Sequence, residues 1–551
     1  MHHFRQSFVV LFERLRVTPI RALLFGNVLA ALSLIVLSNI QVLPLRLWDF
    51  VFFSVLFFLI ALYRSGFVFA LLIGMLPLET VDLAPVEWGI HIRPYQFLAI
   101  LLFGAILVRF AMQRIKWPFF SVTFFDIVLW VFLIIPCLML PFLPSEFASI
   151  ALKQGVILGS FGLLYFLGRV FLKKESDIRI ALLFFLSSIF VILCYSFWQG
   201  IRFKVGLPSF EVMSGRPNGT LPEADFLGGL LALIISGMIP FGLSFFFRGA
   251  VSMAKKIVFA LFLFSLSLIL ILSVARSGWL GLTIGMMVGT ILSLFHHGVL
   301  KALRNLDVGF FWKIVFGKLF VGVPILVAFF VVIVFHLTAF DVFDRGKSVS
   351  SGLQKITVSC DRSDVVLPEI LSPLDELTRS GCRHILLEER EQEVASGHIV
   401  REVYRLDPNI STRKHIYAES WKLIREYPIT GIGFGNVSHF LGTDGNGRGL
   451  NASNVFLEVW IGTGLLGFIV FLVFWFSFPI AFLWRILRAS DERSTVMEIS
   501  LLSAWVATTV FNLFNSGLLL GSLWVFFAVL VWRVNAEFLQ RTHRPQAERP
   551  L

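Results

Sequence analysis

Long, nearly uncharged apolar runs dominate this sequence of 551 residues. Hydrophobic residues make up 57% of the chain and charged residues 15%, and the apolar residues are gathered into runs instead of being spread evenly. A run of about 20 apolar residues is long enough to cross a bilayer as a helix. Because backbone polar groups must be paired inside hydrocarbon, such runs are expected to be helical. The sequence therefore predicts an all-α polytopic membrane protein.

Fourteen apolar segments are candidates for these helices, and the third is short for a span, so about 12–14 transmembrane helices are expected. They cover about 22–39, 47–63, 66–78, 95–111, 121–143, 150–172, 178–198, 223–247, 257–274, 277–295, 316–337, 454–484, 495–514 and 517–532. This pattern divides the chain into an N-terminal bundle (1–337), a large polar loop domain (338–453), and C-terminal spans with a tail (454–551).

The basic residues of the short loops predict the orientation of the bundle. If the N-terminus is cytoplasmic, alternation places almost all short basic loops on one side, as the positive-inside rule requires. These loops contain Arg64; Arg109, Arg114 and Lys116; Arg169, Lys173, Lys174 and Arg179; Arg248, Lys255 and Lys256; Lys301, Arg304 and Lys313; Arg485, Arg488 and Arg493; and the residues from Arg533 onward. Both termini are therefore predicted to be cytoplasmic, and the first apolar segment is interpreted as a span and not as a cleaved signal.

The net charge of +12 does not indicate a nucleic-acid partner. Between Thr338 and Ser453 the chain has fourteen Lys/Arg and sixteen Asp/Glu, so the basic excess lies in the short loops. There it indicates topology, and the partners expected from composition are membrane lipids. No Cys/His spacing indicates a metal site.

The large polar loop is predicted to contain two structured parts. Residues 344–405 alternate short apolar runs with a helix-like piece near Leu367–Arg379, which indicates a small mixed α/β insert. Residues 411–427 have apolar positions at helical spacing and end before Pro428, which predicts an amphipathic helix at the membrane surface. The glycine-rich "GIGFGN" that follows lacks both a preceding strand and a Lys-Ser/Thr ending, so a nucleotide loop is disfavoured.

The four cysteines divide by location. Cys137 and Cys194 lie in apolar runs, and the expectation for them is that of small core residues. Cys360 and Cys382 lie in the polar loop and could form a disulfide if that loop faces an oxidising compartment.

One arginine, Arg276, interrupts the run "ILSVARSGWLGL". The orientation above places it in the outer turn of a helical hairpin instead of at mid-membrane. Gly281, Gly285 and Gly289 follow at four-residue spacing, a pattern that allows close packing of a neighbouring helix.

Three predicted helices that begin on the outer side are each preceded by an arginine. Arg216 precedes the helix near 223, Arg276 the one near 277, and Arg448 the one near 454, while Arg413 lies in the first turn of the predicted amphipathic helix. The cap candidates at these starts are Thr220, Ser277, Asn451 and Ser453. A helix N-terminus favours anions, and a guanidinium fits phosphate oxygens, although single arginines can also anchor helices by snorkelling. Together they favour a phosphate-bearing ligand at the outer face.

Four stretches, in this order, resemble the O-antigen ligase and O-antigen polymerase superfamily of polytopic glycosyltransferases. They are "GRPNGTLPEADFLGG", "LSVARSGWLGL", "TRKHIYAESWKLIREYPITGIGFGN" and "NASNVFLEVWIGTGLLGF", and together they cover about Gly215 to Phe468. The first two hundred residues match that family in layout only.

The resemblance implies a glycosyltransferase of the bacterial cytoplasmic membrane with its active site on the extracytoplasmic face. Such enzymes transfer a glycan from a polyprenyl-diphosphate donor to a hydroxyl of a glycan, lipid or protein acceptor. The donor diphosphate would be bound by Arg216, Arg276, Arg413, Arg448 and Asn454. Their charge would stabilise the leaving group without a metal or another cofactor, in one displacement with inversion.

The general base is an open question at this stage. Ser453 stands where ligases of this family have a histidine, and a serine is a poor base. The nearby candidates are His439, Glu458, Asp444 and Glu419.

The missing histidine makes a polymerase, or a transferase to another acceptor, at least as good an interpretation as a ligase. A transporter or flippase of lipid-linked glycans is the alternative from another class, and it would be favoured by broken helices and mid-membrane charges, which are not evident in the sequence. An inactive structural member of the family is the third alternative.

Overall fold

The structure, a computed structural model, describes residues 19–115, 119–247, 251–298, 305, 308–338, 340, 342–343, 352–361, 365, 370–371, 377, 380–385, 390–443, 449–488 and 492–542. Twelve helices in these ranges are long and apolar enough to cross a membrane, and a shorter apolar helix follows them at Gly521–Asn535. The prediction of an all-α polytopic membrane protein with about 12–14 spans is thus confirmed.

The helices of the N-terminal part are α1 (Pro19–Asn39), α2 (Leu47–Met75), α3 (Pro94–Ala111), α4 (Phe124–Met139), α5 (Ser145–Phe171), α6 (Glu175–Lys204), α7 (Ala224–Phe247), α8 (Met253–Leu272), α9 (Arg276–His296) and α10 (Val308–Val334). The remaining elements are β1 (Leu353–Cys360), β2 (Ile370–Leu371), β3 (Cys382–Ile385), α11 (Arg390–Ala395), β4 (Ile399–Leu406), α12 (Pro408–Glu426), α13 (Val437–Leu441), α14 (Val455–Arg488), α15 (Glu492–Asn512) and α16 (Gly521–Thr542).

Helix α2 contains two of the predicted apolar segments. Its backbone leaves the helical conformation at Arg64 (φ −133°, ψ 57°). Near the start of α2, Phe50 packs against Phe97 at the start of α3. At the break, the Ser65 hydroxyl accepts a hydrogen bond from Arg109 at the end of α3 (2.9 Å). After α2 ends, Glu79 pairs with Arg93, which stands at the start of α3. The chain therefore reverses direction at Arg64, as two separate segments require.

Small residues bring α7, α9 and α15 into close contact. A Cβ atom at Gly281 would lie 2.8 Å from the carbonyl oxygen of Ala507, and one at Gly285 would lie 2.9 Å from that of Ser503. The Ser503 hydroxyl also donates a hydrogen bond to the Gly285 carbonyl (2.6 Å). The prediction that the glycine stripe of α9 packs against a neighbouring helix is confirmed.

Two buried ion networks join helix ends on the face of the bundle away from the loop domain. Asp126, in the first turn of α4, accepts hydrogen bonds from Arg169 near the end of α5 (2.9 Å). Glu498 of α15 pairs with Arg485 of α14 (2.8 Å) and Arg533 of α16 (3.0 Å). A buried charge is tolerated only when it is paired in this way.

The predicted mixed α/β insert is a four-stranded sheet in the order β2-β4-β1-β3. Strand β1 pairs antiparallel with β3 and β4, whereas β2 and β4 are parallel. Cys360 and Cys382 occupy opposed positions on β1 and β3 and form a disulfide. Within the helix-like piece predicted near Leu367–Arg379, residues 370–371 form β2, and most of the remainder lies outside the described residues.

The prediction that the other two cysteines belong to the core is wrong. Cys137 of α4 and Cys194 of α6 are both exposed on the outside of the bundle. In a membrane protein the outer surface of a spanning helix is apolar too, so an apolar run does not distinguish core positions from those that face lipid.

A break in α14 connects the loop domain to the bundle, and the sequence did not reveal it. Gly464 has φ 67°, a conformation that favours glycine, and the helix is interrupted there. The Leu465 amide donates to the Pro428 carbonyl (2.9 Å), and the Ile432 amide donates to the Ile461 carbonyl (2.8 Å). The glycine-rich segment after α12 therefore pairs backbone groups that the interruption leaves without helical partners.

We expect Gly281→Ala to destabilise the protein because the new methyl group would press on the Ala507 backbone, which cannot move aside as a side chain can. The expected loss is about 1–3 kcal/mol of unfolding free energy. Unfolding of the purified protein in detergent, followed by heat or denaturant, measures it. The matched control is Gly322→Ala in α10, where nothing lies within 4 Å of the new atom. Equal effects of the two substitutions would contradict the close contact of α9 and α15.

Candidate functional site

Four consecutive residues between α15 and α16, Leu513 to Ser516, contact the starts of α9, α12 and α14. We call them the junction loop. The Asn515 amide donates to the Ser277 hydroxyl at the start of α9 (2.9 Å). The Asn454 amide, just before α14, donates to the Leu513 carbonyl (3.0 Å). The starts of α9 and α14 therefore meet at the junction loop.

Arg276 is the first residue of α9 and is partly accessible, with 24% of its side chain exposed. Its Nη1 donates to Asp407 Oδ2 (2.9 Å), and the Asp407 side chain is fully buried. Asp407 stands between β4 and α12, and its backbone amide donates to the Gly352 carbonyl just before β1 (2.9 Å). The base of the insert is thus tied to Arg276, and the carboxylate holds the guanidinium at the helix start.

Arg413 lies above the Phe514 ring of the junction loop, 5.5 Å from its centroid. It is in the second turn of α12 and not the first, because Pro408 begins the helix earlier than predicted. One turn further on, the Tyr417 hydroxyl donates to the Leu513 carbonyl (3.4 Å). Burial raises the pKa of Tyr417, while the nearby Arg413 opposes that shift.

Glu458 lies in the first turn of α14, beside Ser516 of the junction loop. Its Oε2 is buried and has no hydrogen-bond partner among the described residues. A buried carboxylate oxygen without a partner is costly, which makes Glu458 a candidate functional group. Of the candidate bases in the described ranges, Glu458 is the one that contacts the junction loop.

Arg216 is placed differently from Arg276. Its side chain is almost buried, with Nε donating to the Ser273 carbonyl (3.1 Å) and Nη2 donating to Asp225 (2.9 Å). Ser273 belongs to the turn between α8 and α9, immediately before Arg276. Arg216 therefore joins the start of α7 to the turn that carries Arg276.

The cap predictions are wrong at all three helix starts. The Thr220 hydroxyl donates to the Pro77 carbonyl (2.7 Å), four residues before α7 begins. Ser277 lies inside α9, whose N-cap is Ala275. Asn454, and neither Asn451 nor Ser453, caps α14, because its Oδ1 accepts hydrogen bonds from the amides of the second and third residues of that helix.

The remaining predicted residues lie elsewhere. His439 is exposed on α13, which packs against the start of α5 through Phe440 and Phe147. Glu419 of α12 lies 3.9 Å from Lys422 on the same helix. Asp444 and Arg448 lie outside the described residues. In the part of the chain that the structure describes, no group of three or more His, Cys, Asp or Glu residues is placed to hold a metal ion.

A buried polar cluster holds the chain just after the junction loop, and sequence reasoning missed it. Glu79 Oε1 accepts from the Gly521 amide (2.9 Å), and Oε2 accepts from the Tyr95 hydroxyl (2.7 Å). Arg93 pairs with Glu79 (3.1 Å) and donates to the Leu519 carbonyl (3.2 Å). Burial raises the pKa of Glu79, and the charge of Arg93 acts against that shift.

The junction loop was also missed as part of the site. Its sequence "LFNSG" places Asn, Ser and Gly between two apolar runs, which is a turn signal. That signal predicts a turn, but it does not tell which helix starts the turn will contact. The same holds for Glu79 and Arg93. Their partners, Gly521 at the start of α16 and Leu519 just before it, are more than 400 residues away along the chain.

Part of the chain matches a known protein family. Residues 259–472 match the family model described as O-antigen ligase (Wzy_C). The matched range includes Arg276, Arg413 and Glu458, whereas Arg216 and the junction loop lie outside it. The resemblance described from the sequence motifs is thus confirmed over residues 259–472. A comparison with curated proteins finds no match.

We expect Glu79→Gln to destabilise the protein by about 3 kcal/mol, because it leaves the largely buried Arg93 guanidinium without its carboxylate. The double variant Glu79→Gln/Arg93→Met should recover part of that loss, since no unpaired charge remains. Unfolding in detergent measures both variants. If the effects of the two substitutions simply add, so that the double variant is less stable than Glu79→Gln by the full cost of Arg93→Met alone, the pairing is contradicted.

Proposed function

We propose that this chain, whose residues 259–472 match the O-antigen ligase family model, is a glycosyltransferase that moves a glycan from a polyprenyl-diphosphate donor to an acceptor hydroxyl. The observation that supports the proposal best is that one loop of four residues contacts Arg413, Glu458 and Ser277, the residue that follows Arg276. Two arginines, one of them held by Asp407, together with the buried carboxylate of Glu458 suit a reaction in which a diphosphate leaves while a hydroxyl loses its proton.

In this proposal Arg276 and Arg413 bind the donor diphosphate. Arg276 stands at a helix N-terminus, where backbone N–H groups and the helix dipole favour an anion. Arg413 has no carboxylate partner among the described residues, so its charge is available to a ligand. Negative charge grows on the diphosphate as its bond to the sugar breaks, and fixed cations stabilise that charge.

Glu458 is the proposed general base. The acceptor oxygen attacks the anomeric carbon, the bond from that carbon to the diphosphate oxygen breaks, and the acceptor proton passes to the Glu458 carboxylate. A buried oxygen without a partner is suited to accept this proton. Since Ser453 replaces the histidine expected at the start of α14, a base one turn into the same helix would take its role. One displacement of this kind inverts the anomeric configuration.

For Arg216 we propose a positioning role in place of direct contact with the donor. Its guanidinium donates hydrogen bonds to the Ser273 carbonyl and to Asp225, and only 9% of the residue is exposed. By holding the turn before α9, it would fix the position from which Arg276 reaches the ligand. Asn454 would act similarly. Its side-chain oxygen caps α14, and its side-chain nitrogen donates to the junction loop.

The site is proposed to face the extracytoplasmic side of a bacterial cytoplasmic membrane. The short basic loops support this orientation, since they lie on the other side of the bundle under the positive-inside rule. The disulfide between Cys360 and Cys382 also supports it, because disulfides persist in oxidising compartments. The acceptor is a glycan, lipid or protein hydroxyl.

Arg276→Lys should lower kcat/KM for glycan release by about 10²- to 10³-fold, because a lysine cannot reproduce the fork that binds phosphate oxygens. The assay uses the purified protein with a synthetic polyprenyl-diphosphate oligosaccharide and an excess of acceptor, and it measures free polyprenyl diphosphate. The matched control is Arg202→Lys, since Arg202 at the end of α6 stacks on Trp198 away from the junction loop. Unchanged turnover in Arg276→Lys would refute the proposed donor site. Donor that the wild type binds but never cleaves would favour a transporter or an inactive member.

Glu458→Gln should reduce kcat by about 10²- to 10⁴-fold and leave donor KM nearly unchanged, because the base acts in the chemical step. Glu426→Gln, on the exposed surface of α12, and His439→Ala should both retain activity. Loss of activity in His439→Ala together with an active Glu458→Gln would assign the base to the histidine.

A further inference from the structure

An apolar cavity of about 730 Å³ lies between α6, α7, α8, α15 and α16. Aliphatic and aromatic side chains form most of its wall, among them Leu186, Leu230, Ile234, Phe241, Phe259 and Val525. Protein interiors are normally close-packed, so a cavity of this size leaves many side chains without partners for dispersion contacts. Its volume is in the range of pockets that hold small organic ligands.

The cavity opens sideways through the outer surface of the bundle. Three of the residues that line it are largely exposed there: Leu182 of α6 (51%), Phe241 of α7 (40%) and Val258 of α8 (66%). Because these helices are candidate membrane spans, that surface faces the hydrocarbon of the bilayer. A hydrocarbon chain can therefore enter the cavity from the membrane without crossing water.

The charged residue at the cavity is Lys255, which is exposed in the first turn of α8. The other end of α8 leads to Ser273 and Arg276, so Lys255 is about 27 Å away along the helix axis from the candidate active site. An amine at the end of a spanning helix lies near the lipid headgroups, where it attracts anionic lipids. Ser500 also lines the cavity, and its buried hydroxyl has no hydrogen-bond partner among the described residues.

We propose that this cavity binds an anionic diacyl phospholipid from the leaflet opposite the loop domain. The acyl chains fill the apolar space between α6, α7 and α8, and the phosphate lies beside Lys255. The lipid completes the packing of these helices at a place distinct from the Arg276 site. The position of Lys255 separates this ligand from the glycan donor, whose diphosphate belongs at the opposite end of α8.

The test uses purified, delipidated protein incubated with vesicles of phosphatidylglycerol, phosphatidylcholine or an equal mixture. Native mass spectrometry measures the retained lipid, and thermal unfolding measures stability. We expect one phosphatidylglycerol to be retained from the mixture and to raise the melting temperature. Lys255→Gln should weaken its retention relative to phosphatidylcholine about fivefold. The matched control Lys256→Gln should not, because Lys256 instead stacks on Phe246 (4.4 Å).

Two substitutions fill the cavity from different walls, Ala504→Phe on α15 and Met238→Phe on α7. Each should abolish lipid retention and make the melting temperature independent of added lipid, and at least one of them is expected to fold. Full retention in a folded variant, or equal retention of both lipids by the wild type, would overturn the proposal. So would displacement of phosphatidylglycerol by a polyprenyl phosphate at equal concentration, which would assign the cavity to the tail of the donor.

Discussion

The close packing of α7, α9 and α15 is the contact on which the candidate site depends. Gly278 and Gly281 allow the backbone of α9 to approach α7 and α15 without an intervening side chain. Inside a bilayer there is little hydrophobic force between helices, so such close van der Waals contact and interhelical hydrogen bonds hold them together. The same contact fixes the start of α9 beside the end of α15. Arg276 and the junction loop are neighbours for this reason.

The loop domain is attached to the bundle by charge and by backbone pairing. Asp407 ties the base of the insert to Arg276, while the segment after α12 pairs with the interrupted helix at Gly464. A helix break is tolerated at membrane depth only where other groups pair the released backbone atoms. A broken helix was named above as a feature that would favour a transporter, but here the loop domain itself satisfies the break, so it is structural. The loop domain thus closes over the starts of α9 and α14.

Much of this architecture was predictable because it depends on local composition. Apolar runs predicted the spans, and alternating short runs predicted the strands of the insert. The family motifs singled out Arg276 and Arg413 as candidate site residues from the sequence. The errors concern interactions that local composition does not report: Cys137 faces outward on an apolar helix, and Asn454 instead of Ser453 caps α14. In each case the deciding factor was which neighbour, lipid or protein, lies next to the residue.

By itself, the sequence determined that this chain spans a membrane many times, carries a small polar insert and resembles the O-antigen ligase family over residues 259–472. These properties follow from runs and motifs that are short compared with the chain. Only the tertiary structure decided that Arg216 is held by the turn before α9, that Glu458 lies against the junction loop, and that Glu79 and Arg93 support that loop. These contacts join segments up to 442 residues apart, and such pairings are set by how helices pack and not by the residues beside them in sequence.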